Sequence, residues 1–484
     1  MPRVLSAMDV KSLSYRACQL LILLIVGITP LAYVYVAGLL YFLLHGIHGR
    51  DLAYPNYPYG WKGVAFNIYT TWMLVEALWL PYHLYTFNRL RSRRQTAHAA
   101  RDADERRTLL AKCLNAIGDA SSIRKMIEGW FFETPIEQIR RGNVAEWAAW
   151  AFFDKEYTEL NDLELEEVDE MVKETEQRIQ YRLKDGYDKR VKCIRLTIDK
   201  MQMLHRPFIY YVTISIMHAI GHVFLRFLGF REASVTAKGN TTGTRQRYFY
   251  RPGSSSAKKL EDTRPIVFIH GIGIGFLHYM PLVARLPRDV DVFLLDWPHV
   301  SMRLAETVPS IEDTVSSLAT ILTRHNHTKA CFIAHSLGTA AVSWMIHHRP
   351  DMVASTLFLD PIVFLLVHPA IAYNFVYRAP TTTTELLMHY FVSRELYIAH
   401  SLARHFNWSE NVLFKEDLPK SEQHLVLLSS NDQIVPSQAV RQYLQNSNVE
   451  LLWLEKTAHG ALMFKQDALS VLQCKIEEAC GLRA

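Results

Sequence analysis

The stretch KACFIAHSLGTAAVS, residues 329–343, decides the fold of the C-terminal half of the chain. Its apolar run, residues 330–334, suits a buried strand and stops abruptly at His335, Ser336, Leu337 and Gly338. The small residues that follow suit a tightly packed helix. A strand, a sharp turn that carries a serine and a helix together expose a nucleophilic hydroxyl. Ser336 is therefore the first candidate for a catalytic residue.

Composition limits the classes of protein to which the chain can belong. With 484 residues the chain is longer than one ordinary domain, and its 49% hydrophobic content fits either a large core or membrane-embedded segments. The formal net charge of +5 is modest, and no basic stripe interleaved with aromatic residues is present, so we expect no nucleic-acid partner. The six cysteines form no C-x-x-C pair, which argues against a disulfide framework or a zinc ribbon.

Residues 1–94 are predicted to form a membrane anchor with two transmembrane helices. Residues 17–49 contain no Asp, Glu, Lys or Arg, and this run is longer than the ~20 residues that cross a bilayer. We expect one helix over about residues 17–45 and a second over about 63–87, which carries a single charge, Glu76. A cleaved signal peptide is the alternative for the first, but its apolar region would span only about 7 to 15 residues. Glu76 is either functional or, as we favour, protonated or hydrogen-bonded between the two helices.

Basic residues lie at the outer ends of both predicted spans. Because positive residues favour the cytoplasmic side, both ends are predicted to be cytosolic and the loop between the spans to lie on the opposite side. We therefore expect an integral membrane protein of an endomembrane such as the endoplasmic reticulum. The basic residues are Arg3, Lys11, Arg16, Arg89, Arg91, Arg93 and Arg94.

Residues 95–244 are predicted to be a helical region that ends in an amphipathic helix at 207–230. Polar residues recur along that helix at steps of three and four, which suits a helix that lies in the membrane surface or packs under the next domain. A third span is the alternative and would move the catalytic domain from the cytosol to the lumen. His218 and His222 have the spacing of a metal-binding pair, but no third ligand is evident, so we interpret them as ordinary residues of the polar face.

From residue 245 onward, short β-rich runs alternate with helical ones, which predicts a largely parallel sheet with crossover helices. The insertion at 361–423 is too long for a simple connection and is predicted to be a cap. The cap could cover an apolar substrate channel, touch the bilayer or merely pack on the core. The predicted strands are 265–270, 290–296, 330–336, 355–360, 424–430 and 449–455, and the predicted helices are 276–286, 311–325, 338–348 and 437–445.

Residues 245–484 resemble the α/β-hydrolase superfamily, in particular its membrane-anchored serine esterases and lipases. The resemblance implies an α/β fold with a mostly parallel sheet, flanking helices and a cap insertion. The nucleophile turn departs from G-x-S-x-G at Ala334, where a small residue replaces the first glycine. The pieces that carry the resemblance are HGIG at 270–273, AHSLG at 334–338, Asp432 within SSNDQIVP and His459 within KTAHG.

The resemblance implies a catalytic triad, because a serine hydroxyl becomes a good nucleophile only when a base removes its proton. His459 is the expected base for Ser336. Asp432 is the expected acid that orients the imidazole and balances its positive charge. Asp360 also ends a predicted strand and is the alternative acid, although its sequence context matches the family position less well.

By the same analogy, two backbone N–H groups would form the oxyanion hole that stabilises a tetrahedral intermediate. These are the amides of Leu337, which follows the nucleophile, and Ile272, in the loop after the first clear strand. His270, Gly271 and Gly273 belong to that supporting loop, in which the glycines allow the backbone to curl close to a substrate.

The features together predict a membrane-anchored serine hydrolase that cleaves a carboxylic ester, most plausibly a lipid or fatty-acyl ester, through an acyl-enzyme. A thioester or an amide is an open alternative, since the same triad cleaves both. The rival hypothesis from another class is a non-catalytic membrane scaffold or lipid-binding protein with the same fold. The expected partners are the acyl-ester substrate and the bilayer. No motif implies a cofactor or a metal.

Overall fold

The computed structural model describes residues 2–46, 60–92, 101–236, 245–254, 263–420 and 422–483. Two long helices open the chain, α1 (Pro2–Gly46) and α2 (Trp61–Arg91), and they pack against each other. Within the described residues, only Leu13–His45 and Phe208–Phe227 are long and apolar enough to cross a membrane. Helix α2, which contains the second predicted span, is not among them. Residues 47–59, between the predicted spans, and Arg93 and Arg94 of the basic flank lie outside the described residues.

The described part of the helical region contains five α-helices, three of which begin at a capping side chain. Asp102, Asp119 and Asn161 each accept hydrogen bonds from backbone N–H groups in the first turn of the following helix. The buried faces of the first four helices join the same apolar core as the sheet, so this region is not a separate module. The helices are α3 (Ala103–Ile117), α4 (Ala120–Trp130), α5 (Arg141–Phe153), α6 (Asp162–Ile179) and α7 (Phe208–Phe227).

Glu76 closes the N-terminus of α7. Its fully buried carboxylate accepts hydrogen bonds from the backbone N–H groups of Phe208 and Ile209, at 2.7 and 2.8 Å, and from the indole N–H of Trp72 at 3.0 Å. A carboxylate at a helix N-terminus satisfies orphan donors and interacts favourably with the helix dipole. The hydrogen-bonded interpretation of Glu76 is therefore the one that the structure supports, with α7 rather than α1 as the partner.

Helix α7 packs one face against the rest of the molecule and leaves the other exposed. Tyr211, Ile214 and Gly221 are buried, whereas the apolar side chains at 216, 220, 223, 224 and 227 are exposed. The two histidines of α7 do not act together: His218 is hydrogen-bonded through Nε2 to the carbonyl oxygen of Ser301 at 2.9 Å, and His222 packs on the ring of Phe249. Both contacts fit the ordinary packing role predicted for these residues.

Eight strands form one sheet in the order β1-β2-β4-β3-β5-β6-β7-β8. The pairs β1–β2 and β2–β4 are antiparallel, and all other neighbours are parallel. The six predicted strands are all present within two residues of their expected ends. The strands are β1 (Arg231–Thr236), β2 (Arg245–Arg251), β3 (Ile266–Ile269), β4 (Val292–Leu295), β5 (Ala330–His335), β6 (Val353–Leu359), β7 (Gln423–Ser429) and β8 (Glu450–Leu454).

The sheet begins at β1, ahead of residue 245, where the sequence analysis places the start of this domain. Helices cover both faces of the sheet, as buried parallel strands require. The predicted helix at 276–286 is a 3₁₀ turn, Gly275–Tyr279, followed by one short helix, α8. The helices that flank the sheet are α8 (Met280–Val283), α9 (Ile311–Arg324), α10 (Thr339–His348), α15 (Ser437–Leu444) and α16 (Gln466–Ala479).

The insertion between β6 and β7 is helical. Its polar segment contacts α1: the Tyr15 hydroxyl donates to the carbonyl oxygen of Pro380 at 3.1 Å, and the hydroxyls of Ser14 and Thr383 are 3.1 Å apart. The cap is thereby attached to the first long helix. Its helices are α11 (Ala370–Ala372), α12 (Thr383–Leu387), α13 (Leu396–His405) and α14 (Trp408–Asn411), with π-helical turns after α11 and α12.

Candidate active site

The turn after β5 holds Ser336 in a strained conformation. Its φ is 52°, a left-handed value that non-glycine residues rarely adopt. Gly338 is required two residues later, because a Cβ there would lie 2.5 Å from the carbonyl oxygen of Ile269. Ala334 has no such constraint, since it is an ordinary buried residue of β5 without positive φ. Alanine therefore fits where the family pattern has its first glycine.

The structure brings Ser336, His459 and Asp432 into one hydrogen-bonded chain. The Ser336 Oγ atom is 2.9 Å from Nε2 of His459, and Nδ1 of the same imidazole is 2.6 Å from Oδ2 of Asp432. Each of these residues follows the end of a different strand. Ser336 and Asp432 are 96 residues apart in the sequence, and Asp432 and His459 are 27 residues apart. Asp432 accepts a hydrogen bond from Nδ1–H of His459. In this tautomer Nε2 carries no hydrogen and can accept the proton of the serine hydroxyl.

Asp432 is held in place by two backbone amides. Its Oδ1 accepts hydrogen bonds from the N–H groups of Ile434 and Val435, at 2.7 and 2.9 Å. Only Oδ2 faces His459, so the carboxylate has one orientation. The geometry therefore favours Asp432 over Asp360 as the acid that contacts the imidazole.

Asp360 nevertheless lies beside the same histidine. Its buried carboxylate accepts hydrogen bonds from the N–H and hydroxyl of Ser429, at 2.8 and 3.0 Å, and from the N–H of Gly460 at 2.9 Å. A carboxylate oxygen of Asp360, a carboxylate oxygen of Asp432 and a ring nitrogen of His459 all lie within 4.8 Å of one another, a separation that a metal site could also have. Oxygens of both carboxylates and Nδ1 of the histidine are already engaged in hydrogen bonds here.

Two opposing effects act on the imidazole of His459. Burial alone would lower its pKa, but the carboxylates of Asp432 and Asp360 raise the pKa above the ordinary value of 6.5. A second histidine, His335, is fully buried, and its pKa is held well below the ordinary value by that burial and by the neighbouring His459. One histidine is thus suited to carry a positive charge, and the other is kept neutral.

The two amides expected to form the oxyanion hole both border the cavity in front of Ser336. Ile272 and Leu337 line it, and within the described part of the chain neither N–H donates to a protein acceptor. Gly271 sits so close that a Cβ would lie 2.8 Å from the Cβ of Ser336, and Gly273 has φ 154°. The expected supporting loop is therefore in place against the serine.

His270, in the expected supporting loop, contacts backbone groups through both ring nitrogens. Its Nδ1 lies 2.8 Å from the carbonyl oxygen of Gly271, and its Nε2 accepts a hydrogen bond from the N–H of Trp297 at 3.2 Å. Both ring nitrogens are thus used for backbone contacts. Burial lowers the pKa of this imidazole, so it stays neutral.

A cavity of about 330 Å³ opens in front of Ser336 and His459. Its walls come from the hydrolase-like domain, from the cap and from the helical region, of which Trp130, Trp150 and Leu196 take part. The sequence analysis assigned no chemistry to these three residues. The aromatic run of α5, WAAWAFF, was the one signal that something apolar lay beside that helix.

The C-terminal part of the chain is similar to known proteins. Residues 266–470 match the family model described as Alpha/beta hydrolase family. Three solved structures are similar over about half of this chain: a bacterial membrane phospholipase A, a carboxylesterase from Bacillus subtilis and carboxyl esterase 2 from the fungus Tuber melanosporum. Their identities are 15%, 12% and 18%, and their TM-scores are 0.40, 0.36 and 0.38. In the same order, the alignments include 56%, 56% and 52% of this chain. They include 93%, 99% and 88% of the three solved chains. A search of curated proteins by sequence finds no match.

Proposed function

We propose that this chain, whose residues 266–470 match the family model described as Alpha/beta hydrolase family, is a membrane-anchored serine hydrolase that cleaves a carboxylic ester of a lipid or another fatty-acyl compound. The single observation that carries this proposal is the unbroken chain of hydrogen bonds from Ser336 through His459 to Asp432 at the wall of an apolar cavity. A purely structural scaffold has no use for this alignment. Catalysis by an activated serine requires it.

In the proposed first step, Oγ of Ser336 attacks the carbonyl carbon of the ester while Nε2 of His459 takes the hydroxyl proton. The resulting imidazolium is stabilised by Asp432 through the hydrogen bond at Nδ1. When the tetrahedral intermediate collapses, the bond to the alkoxide leaving group breaks and the imidazolium returns its proton to that oxygen. The serine then carries the acyl group as an ester.

In the second step, water attacks the acyl-enzyme. His459 takes a proton from the water and later gives it to Oγ of Ser336, so that the carboxylic acid leaves and the free enzyme is restored. In both steps the negative charge on the carbonyl oxygen is stabilised by the amides of Ile272 and Leu337. Donors fixed by the backbone need no reorganisation when that charge develops.

The cavity supports an apolar substrate. No Asp, Glu, Lys or Arg lines it among the residues that the structure describes, and most of its lining side chains are apolar. A phosphate or carboxylate inside it would find no Lys or Arg with which to pair, and its burial would be costly. The buried part of the substrate is therefore uncharged. Esters, thioesters and amides share this chemistry, and we place the carboxylic ester first.

The proposal includes the membrane. Residues Leu13–His45 have the length and hydropathy of a span, and the exposed apolar face of α7 adds a second surface that suits lipid. Because the cap contacts α1, the anchor would hold the active site beside a substrate that partitions into the bilayer. We place the protein in an endomembrane such as the endoplasmic reticulum, with the hydrolase domain on the cytosolic side.

A fluorophosphonate probe tests the proposed function directly. The purified full-length protein in detergent should be labelled on Ser336, and Ser336→Ala should abolish both labelling and hydrolysis of p-nitrophenyl octanoate. The matched control is Ser470→Ala, which changes an exposed serine on α16 whose hydroxyl bonds only its own helix backbone. If the folded wild-type protein is neither labelled nor active, the serine mechanism is wrong. Retained lipid binding in that case would favour the scaffold hypothesis.

A further inference from the structure

The helical region outside the matched domain contributes part of the cavity wall. Trp130 lies at the end of α4, Trp150 in α5 and Leu196 in the irregular segment after α6, and all three precede residue 266. They border the same space as Ser336 and His459. An α/β-hydrolase domain alone would leave this side of the cavity open.

The indole groups of this wall present only carbon to the cavity. Trp130 donates its Nε1–H to the carbonyl oxygen of Val367 at 2.8 Å, and Trp150 donates to the hydroxyl of Thr197 at 2.8 Å. Trp408 of the cap lines the same cavity and donates to the carbonyl oxygen of Ala151 at 2.9 Å. Since each polar N–H is satisfied by a protein group, none remains to bind a substrate oxygen.

These rings are also fixed in position. Trp130 and Trp150 are 3% and 4% exposed, and their ring centroids are 5.6 Å apart. Thr197, which accepts from Trp150, in turn donates to the carboxylate of Asp154. A wall held by buried hydrogen bonds and aromatic packing keeps its shape when a ligand enters, so it can discriminate ligands by length.

We infer that this wall, formed by Trp130, Trp150 and Leu196, binds the hydrocarbon chain of the acyl group and limits its length. The inference rests on the proposed function, because it assigns the occupant of the same cavity. The occupant is an acyl chain without a charged group, as the uncharged lining requires. The cavity volume of about 330 Å³ is at the small end of the ~300–1,000 Å³ typical of ligand pockets, so the added walls restrict the chain.

The test compares kcat/KM for p-nitrophenyl butyrate, octanoate, dodecanoate and hexadecanoate. Leu196→Trp fills the cavity and should lower kcat/KM for the two longest esters by about 10- to 200-fold relative to butyrate, the range for poorly fitting apolar groups. Trp150→Leu enlarges the cavity and should move the preferred ester to a longer chain. Trp147→Leu is the matched control, because Trp147 packs on Trp130 and Trp150 but does not itself line the cavity.

The outcomes separate the inference from the proposed function. If wild-type Ser336 is not labelled by a small fluorophosphonate, the proposed function fails. If every variant is labelled but the profile of chain lengths stays the same, only the inference fails. A second series varies the alcohol of octanoate esters; if the variants discriminate among alcohols instead of acyl chains, the assignment of the acyl chain is wrong.

A second inference comes from a different set of contacts, behind the catalytic serine. The hydroxyl of Tyr279 accepts a hydrogen bond from the N–H of Gly271 at 3.0 Å and lies 2.8 Å from Nδ1 of His335. Gly271 directly precedes Ile272, and His335 directly precedes Ser336. One buried hydroxyl therefore joins the backbone of the supporting loop to the nucleophile turn.

The protonation states in this network follow from the donor count. Tyr279 has one hydroxyl hydrogen, and among the described residues Nδ1 of His335 is the acceptor within hydrogen-bonding distance of it, so we assign the hydrogen of that hydrogen bond to the tyrosine. The imidazole then carries its own hydrogen on Nε2, whose nearest acid is Asp360, 3.9 Å away. Burial keeps the pKa of His335 low, so the ring remains an acceptor even beside a protonated His459, whose ring centroid is 5.0 Å away.

We propose that Tyr279 and His335 are positioning residues that hold the two amides of the oxyanion hole at their working separation. This proposal also rests on the proposed function. Neither side chain reaches the reacting atoms in the proposed mechanism, and each acts through the backbone that it fixes. The acceptor at Nδ1 is the essential feature of His335, and the hydroxyl is the essential feature of Tyr279.

Tyr279→Phe removes only the hydroxyl and should lower kcat about 10- to 100-fold with KM unchanged, less than the 10²- to 10³-fold typical for deleting an oxyanion donor. His335→Leu should do the same, whereas His335→Asn keeps an acceptor near the Nδ1 position and should restore most of kcat. Affinity for an alkyl trifluoromethyl ketone, which forms a tetrahedral adduct with the serine, should fall in parallel with kcat.

Thermal unfolding is measured on the same variants to identify a purely structural role. A lower melting temperature with unchanged kcat and unchanged ketone affinity would overturn the proposal. Equal decreases in kcat for His335→Asn and His335→Leu would also overturn it. If the wild-type protein forms no adduct with the ketone and hydrolyses no ester, the fault lies with the proposed function instead.

Discussion

Replacing Asp432 with asparagine is expected to remove most of the activity and to leave the fold intact. The two oxygens of Asp432 have different partners: Oδ1 accepts from the N–H groups of Ile434 and Val435, and Oδ2 accepts from Nδ1–H of His459. Asparagine has only one side-chain oxygen. Two backbone donors, at 2.7 and 2.9 Å, compete for it against one imidazole N–H, so the oxygen stays at the Oδ1 position.

The NH₂ group of the asparagine then faces His459 and donates to Nδ1. The imidazole must move its hydrogen to Nε2, the atom that has to accept the proton of Ser336. The wrong tautomer produced in this way lowers kcat on the order of 10⁴-fold in a serine protease of the same arrangement. At 1.36 kcal/mol per tenfold change, this is about 5.4 kcal/mol of lost transition-state stabilisation. We expect a fall of that order here.

The assay is kcat for p-nitrophenyl octanoate, with the rate of fluorophosphonate labelling and the melting temperature measured on the same preparations. Asp351→Asn is the control, because Asp351 is an exposed acid paired with Arg349 at the surface and should behave as wild type. A decrease of less than tenfold in folded Asp432→Asn would refute the reasoning. It would also move the role of the acid to Asp360.

Three further predictions follow from single contacts. A catalytic base must be neutral and His459 has a raised pKa, so kcat/KM should fall with decreasing pH through an apparent pKa above 6.5. Asp360→Asn removes one of the charges that raise this pKa and should lower the apparent pKa of the profile. An apparent pKa below 6.5 in the wild type would contradict this prediction. Gly338→Ala places a Cβ 2.5 Å from the carbonyl oxygen of Ile269 and should destabilise the protein by about 1–3 kcal/mol, measured by thermal unfolding. The variant should also lose most of the fluorophosphonate labelling of Ser336. A melting temperature equal to that of the wild type would show that the turn can relax. Glu76→Leu leaves two partly buried N–H groups of α7 unpaired and should lower the free energy of unfolding, measured with denaturant in detergent, by about 2–6 kcal/mol. A loss of less than about 1 kcal/mol would mean that other groups replace the cap.

The sheet and the clustering of the proposed triad residues could be predicted from the sequence because their signals are local. Parallel strands buried on both faces are short apolar runs, and each of the six predicted runs became a strand. Ser336, Asp432 and His459 each follow such a run, and the carboxyl ends of parallel strands meet at one edge of the sheet. A motif at the end of each of three strands therefore predicts a spatial cluster without any knowledge of the packing.

The first two strands could not be recognised in this way. β1 is the edge strand of the sheet and β2 is its antiparallel neighbour, and their sequences, REASVT and RQRYFYR, mix charged and apolar residues. Both faces of β1 are partly exposed, and the buried polar residues Gln246 and Arg251 interrupt the apolar pattern of β2. β2 also pairs with β4, some 40 residues later, so no local signal announces the partner.

The partners of Glu76, Tyr279 and Trp150 could not be predicted, for a related reason. The role of each depends on a partner far away in the chain: Glu76 caps a helix that begins 132 residues later, and Tyr279 bonds a histidine 56 residues later. A buried carboxylate, a tyrosine and a tryptophan each have several ordinary roles. Only the packing shows that these three complete a helix end, an oxyanion loop and a cavity wall.

The packing also explains why the N-terminal helices and the hydrolase domain should be regarded as one functional unit. Helix α2 packs on α13 of the cap, and α7 lies against the 3₁₀ turn that follows the supporting loop. At that contact a Cβ on Gly275 would lie 2.6 Å from the ring of His218, so the turn and α7 touch without space between them. A shift of the helices would therefore displace the supporting loop and the cap together. Since the loop contains Ile272, the proposed oxyanion donor, and the cap lines the cavity, we expect the position of these helices to affect both the proposed chemistry and the choice of substrate.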